Sequence, residues 1–148
     1  MIAGIIAALG CLLAACSSGP APRASTQSNV ARGPVVLYAM HTNLGQIVTL
    51  PYGSPVYVNT KDVGGSGMSC AGSCGRDWVP VLTEQAPKAS SGVESSEVGT
   101  TRLGSAEQVT YFGHRLYYDK LDTHPLVASG QGSAGSWYVI LPNGQVLQ

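Results

Sequence analysis

The chain has little charge to work with: eight basic and eight acidic residues among 148, for a formal net charge of zero. Nothing in that balance attracts a polyanion, so a nucleic-acid partner has no electrostatic support. The chain also lacks a run long enough to stay in a membrane. Its longest apolar stretch, Met1–Ala15, gives way to Ser17-Ser18-Gly19-Pro20, short of the roughly 20 residues a spanning helix needs. No segment sustains a helical hydrophobic period, which argues against a helix bundle. His41, His114 and His124 stand singly in expected turns, and with no second histidine at ligand spacing no metal site is expected. The glycine-rich stretch from Gly64 to Gly75 has no Lys-Ser/Thr ending, so it does not read as a phosphate-binding loop.

Met1–Ala15 is uncharged, with Ile2, Ile5, Ile6, Leu9, Leu12 and Leu13 among small residues. It reads as the core of a signal peptide, although the basic residues that usually open one are missing. The run closes in Leu13-Ala14-Ala15-Cys16, which resembles the lipobox of bacterial lipoproteins. That resemblance implies cleavage before Cys16 and lipidation of its thiol. Several acyl chains, palmitate among them, then hold the protein at a membrane surface where one chain would not. Ser17 stands where many inner-membrane lipoproteins carry aspartate, which points to an outer membrane facing the periplasm in a Gram-negative host. An ordinary secretory signal with an incidental cysteine is the alternative. The expected layout is a signal peptide (1–15), a lipidated cysteine and flexible Ser/Ala/Pro-rich tether (16–32), and one domain (33–148).

Within that domain one plan occurs twice. Leu44-Gly45, Tyr52-Gly53-Ser54-Pro55-Val56-Tyr57, Asp62 and Trp78-Val79-Pro80-Val81-Leu82 are matched by Leu103-Gly104, Phe112-Gly113-His114-Arg115-Leu116-Tyr117, Asp122 and Trp137-Tyr138-Val139-Ile140-Leu141. In each half the tyrosine precedes its aspartate by five residues, and the tryptophan opens an apolar run after a Gly/Ser-rich loop. The β-branched and aromatic runs predict strands: 35–38, 47–50, 56–58, 78–82, 109–111, 116–118, 137–141 and 146–147. Gly53-Ser54 and Gly113-His114 are expected as type II′ hairpin turns, Pro142-Asn143-Gly144 as a turn, and 83–100 as a polar linker. The expected fold class is mainly β, a compact antiparallel β domain of two related repeats, about 38–82 and 99–144.

At these residues the chain resembles a family of bacterial lipoproteins described as the secreted repeat of unknown function, whose hallmark is Tyr, any residue, an aromatic, two residues, then Asp. Cys70-Ala71-Gly72-Ser73-Cys74, Trp78-Val79-Pro80-Val81-Leu82, Gln108-Val109-Thr110-Tyr111, Gly130-Gln131-Gly132 and Trp137-Tyr138-Val139 extend the match. The resemblance marks Tyr57, Asp62, Trp78, Tyr117, Asp122 and Trp137 as motif residues. It names no activity. The hallmark's middle aromatic is replaced by Asn59 in one half and Asp119 in the other.

Four cysteines are present. With Cys11 removed in the signal and Cys16 lipidated, Cys70 and Cys74 are left to pair as a disulfide in an oxidising compartment, worth roughly 2 kcal/mol for so short a loop. A redox pair, or a soft-metal site joined by Met68, is the alternative. Asp62 and Asp122 read as carboxylates that accept backbone N–H groups and fix their own turns. Tyr52, Tyr57, Trp78, Tyr117, Tyr118, Trp137 and Tyr138 read as core and cross-strand pairs, or else as the lining of a glycan or peptide groove. No nucleophile, base and orienting group come together in the sequence. The expectation is a non-enzymatic envelope lipoprotein, a binding or structural module without a cofactor, joined to the membrane by its lipid and open to an envelope protein or glycan partner. A redox or metal-handling lipoprotein centred on Cys70 and Cys74 is the second reading.

Overall fold

A computed structural model describes residues 30–31, 33–62 and 76–148. Cys16, Met68, Cys70 and Cys74, with the expected signal peptide and most of the tether, lie outside the described residues. Twelve strands follow in order: β1 (Val30–Ala31), β2 (Val36–Thr42), β3 (Gly45–Thr49), β4 (Tyr57–Asn59), β5 (Trp78–Pro80), β6 (Leu82–Thr83), β7 (Lys88–Ala89), β8 (Val98–Leu103), β9 (Ala106–Tyr111), β10 (His114–Arg115), β11 (Tyr117–Asp119) and β12 (Trp137–Val139). The described residues form no α-helix, only single 3₁₀ turns such as Pro51–Gly53. The protein is mainly β, and among the described residues all but two of the strand pairings are antiparallel.

The four-stranded sheet β12-β4-β11-β5 organises the rest. Its pairing is crosswise. Tyr57 lies opposite Tyr117, Trp137 opposite Asn59, and Trp78 opposite Asp119. Each tryptophan strand therefore pairs with the tyrosine strand of the other half. Flanking hydrogen bonds repeat the pattern, with Val48 N–H donating to Ile140 O at 2.9 Å and Val109 N–H to Val81 O at 2.8 Å. On one side the hairpin β2–β3 takes β7 in parallel. On the other, β9 pairs with β8 along its whole length and also with β6 and β10, while β1 lies parallel to β6.

Both faces of the central sheet are covered. Tyr57, Trp78, Tyr117, Trp137 and Val139 join Ile47 in one cluster. Val58 turns the other way, into a larger cluster with Leu37, Val48, Val81, Val109 and Leu116. The alternation of side chains along a strand is what sends neighbours into separate cores.

Several sequence expectations change. The second hairpin turns at Phe112-Gly113 rather than Gly113-His114, because His114 already pairs with Tyr111. Both turn residues have positive φ, 46° and 76°, which is the type I′ hand that suits the twist of the flanking strands. In the first half Tyr52 and Gly53 take the same left-handed conformation, φ 63° and 79°. The expected strand 78–82 breaks at Val81, whose N–H still donates to Leu116 O at 2.9 Å while its C=O accepts Val109 N–H at 2.8 Å, and Leu82 joins a different sheet. The expected linker 83–100 holds β7, a buried Val93 and the start of β8; two-residue strands carry too short a pattern to be read. His41 lies in β2 rather than in a turn, on an exposed position. The expected tether yields its Val30–Ala31 to β1.

Among the described residues one buried polar atom is left over: the Thr49 hydroxyl has no hydrogen-bond partner, and Thr49 is wholly buried. A hydroxyl buried in this way costs about 1–3 kcal/mol. Thr49→Val, of nearly the same shape, is expected to raise stability by about 1 kcal/mol, read as a higher urea midpoint with unchanged m-value.

Candidate functional site

The motif residues meet at the centre of the crosswise sheet. Because Trp78 and Trp137 sit on strands at its two edges and lean inward, their indoles stack at 4.0 Å with planes 3° apart. Tyr57 meets Trp78 edge-on at 5.0 Å, and Tyr117 meets Trp137 edge-on at 5.1 Å. Edge-to-face and offset stacking suit the ring quadrupoles and add about 0.5–1.5 kcal/mol per pair beyond burial. All four rings are buried, as expected for core aromatics. Tyr118 and Tyr138 are half-buried. Tyr52 is not core at all: it is 93% exposed.

The tyrosine hydroxyls reach across to the opposite half. Tyr57 donates to Asp122 Oδ2 at 2.5 Å and Tyr117 to Asp62 Oδ2 at 2.7 Å. The aspartates thus do more than the local turn-fixing expected of them, although Asp122 Oδ1 does accept Ser129 N–H at 2.9 Å. Most of the turn work falls to the residues in place of the hallmark aromatic. Asn59 Oδ1 accepts Lys61 N–H and Asp119 Oδ1 accepts Leu121 N–H, each at 2.9 Å. Both are buried. Sequence reasoning singled out these two positions only as departures, whereas their short Asx-type side chains two residues before the receiving N–H were the available signal.

The support behind each hydroxyl differs. The Tyr57 oxygen accepts Gly130 N–H at 3.2 Å. Only glycine permits that approach, since a Cβ there would come 2.4 Å from Trp78 Cη2. On the other side, Gln108 is fully buried, donating to Leu116 O at 2.9 Å and accepting from Arg115 Nη1 at 3.0 Å.

Burial, followed by the aspartate bond, holds both phenols far above the ordinary tyrosine range. They stay protonated as hydrogen-bond donors and do not act as tyrosinate bases or nucleophiles at neutral pH. Burial also raises the Asp119 carboxyl, with the charges of Asp122 and Asp77 adding to it and the Leu121 N–H opposing it. Among the described residues no three His, Cys, Asp or Glu side chains group to hold a metal ion.

Two open depressions lie near these elements. One of about 400 Å³ is lined by Thr83, Gln85, Pro87, Thr100 and Glu107 and holds no aromatic ring. Another of about 290 Å³ is lined by Tyr52, Ser54, Asp122, Thr123, His124 and Pro125 beside Pro51. Of the motif residues, Asp122 alone lines either one. Comparison with protein-family models, with curated proteins and with solved structures gives no match to this chain.

Two expectations follow. A phenol whose folded pKa is raised contributes stability that is complete below the unfolded value, about pH 10, and is lost as pH climbs toward the folded value. Tyr57→Phe, which strips Asp122 Oδ2 of its donor, should cost about 1–3 kcal/mol at pH 7 and flatten the fall of stability above pH 10, measured by urea unfolding across pH 7–11. For Asp119 the raised carboxyl means that ionisation costs stability as pH rises through the folded pKa. Asp119→Asn keeps the acceptor for Leu121 N–H, as Asn59 does for Lys61. It should therefore raise Tm at pH 7, with the gain vanishing in acid where Asp119 is protonated.

Proposed function

We propose that this chain is a lipid-anchored protein of the bacterial cell envelope whose β domain is a non-catalytic binding or structural module. The single observation behind the anchor is Leu13-Ala14-Ala15-Cys16 at the end of an uncharged apolar run. Thirteen residues separate Cys16 from Val30, so an extended chain lets the domain stand at most about 50 Å from its lipid. In this reading the domain is two related repeats fused in one chain, of the secreted-repeat type, and Tyr57, Asp62, Trp78, Tyr117, Asp122 and Trp137 are its structural signature. The matched registers and the two reciprocal Tyr–Asp bonds support that view. Six residues that bury one another, or bond one another across the halves, are spent on cohesion. Binding then falls to the surface, and the partner is a glycan or another envelope protein. The pair Cys70 and Cys74 is assigned to a disulfide.

Cys16→Ala should leave the domain folded with unchanged Tm but move it from the membrane pellet to the soluble fraction, with loss of radiolabelled palmitate. Protein that still sediments with membranes after a high-salt wash would defeat the lipoprotein reading.

A further inference from the structure

The depression beside Tyr52 joins an exposed phenol ring to a carboxylate, two hydroxyls and an imidazole. Tyr52 and Phe112 occupy matched places, each an aromatic in a left-handed conformation just before a turn glycine. Both share the strain, so the strain says nothing of function. Their cover differs. The Phe112 ring lies edge-on to Tyr111 at 4.9 Å and against the Gly144 turn, where it is 37% exposed. Tyr52 is 93% exposed and contributes almost no buried area to the fold.

The walls around Tyr52 are held in register. Leu126 N–H donates to Gly53 O at 2.8 Å, and the Leu126 side chain lies over Gly53, with Cδ2 2.8 Å from where a Cβ would stand. That clamp ties the loop carrying Asp122, Thr123, His124 and Pro125 to the turn carrying Tyr52. Asp122 is fixed further by Tyr57 and by Ser129 N–H. Each carboxylate oxygen has a second lone pair, so both oxygens can accept again. The Thr123 hydroxyl and His124 Nδ1 lie 3.1 Å apart and, with Ser54, supply donors and acceptors around the rim.

We propose that this depression is a carbohydrate subsite, in which the C–H face of one pyranose ring of a glycan stacks on Tyr52 while its hydroxyls bond Asp122 and the neighbouring hydroxyl and imidazole groups. The proposal rests on the binding-module reading and names the ligand class. The volume of about 290 Å³ is at the small end of ligand pockets, which begin near 300 Å³, and so fits one ring rather than a large ligand. An organic cation is the competing occupant of a Tyr–carboxylate site. It is disfavoured because Tyr52 is the single Phe, Tyr or Trp side chain in the lining, where a quaternary ammonium is held by a cage of several such rings, and because Asp122 already accepts two hydrogen bonds.

The test uses the full-length chain in a polyoxyethylene detergent, which carries no sugar headgroup, titrated calorimetrically with chitotetraose, cellotetraose and tetramethylammonium. At least one tetrasaccharide should bind, and Tyr52→Ala should weaken it by at least about tenfold with unchanged Tm, while Phe112→Ala leaves the affinity alone. The subsite is overturned if neither sugar binds at concentrations on the order of 10 mM, if Tyr52→Ala binds as well as the parent, or if only tetramethylammonium binds. Release of new reducing ends from a bound tetrasaccharide would uphold the subsite and overturn the non-catalytic reading. Fractionation of Cys16→Ala tests the anchor separately, so the two proposals fail independently.

Discussion

Everything in this fold hangs on the crossing of two short strands, β4 and β11, where Tyr57 and Tyr117 lie opposite each other. Once that antiparallel pair is set, its outer edges are filled by the tryptophan strands from the opposite halves, which brings the two indoles into a stack at 4.0 Å. The two phenols are then directed at the two aspartates, one in each half. Neither half can bury its own tyrosine without the other. Each half alone presents an unpaired strand and an aromatic stripe, and the other half covers both.

The crossing also explains what could and could not be read from the residues alone. The spacing of Tyr, Asp and Trp identified the buried set, because β-branched and aromatic runs at matched intervals mark core strands whatever their partners. Spacing is silent on which copy a strand pairs with. The Tyr57–Asp122 bond joins residues 65 positions apart, while the nearer Asp62 serves Tyr117. The local turn role given to the aspartates holds for Asp122 through Ser129 N–H, and it holds as well for Asn59 and Asp119, three residues earlier in each half. Tyr52 was grouped with the core because it is aromatic. Its surroundings decide the matter, since Phe112 takes the same left-handed conformation yet packs on Tyr111 and the Gly144 turn. The strands β7 and β8 were missed for a different reason, since Lys-Ala and Val-Gly-Thr-Thr-Arg-Leu show neither an apolar run nor a clear alternation.

The two halves are alike in backbone and unlike in how they shore up the central bonds, and that difference decides where a surface site can form. Val48 and Val109 match through their bonds from Val56 and Leu116, which places Ile47 opposite Gln108 in the comparison and Pro55 opposite Arg115. In one half, therefore, an apolar residue and a proline stand where the other has a buried amide and a buried guanidinium. Gln108 and Arg115 lie close enough to Tyr117 to oppose the rise in its pKa, so the Tyr117–Asp62 bond is backed by polar side chains. The Tyr57–Asp122 bond is backed instead by the Gly130 backbone and needs no side chain behind it. The first-half turn keeps the Thr49–Pro55 bridge that matches Thr110–Arg115, and it carries one extra residue, Pro51, ahead of Tyr52. That longer turn displaces its aromatic from the sheet toward the loop after Asp122, where Leu126 clamps the two together. The carboxylate that closes the core on its Tyr57 side is thereby one wall of the open depression on its Tyr52 side, so any ligand bonded to Asp122 would act on the same hydrogen bond that joins the two halves.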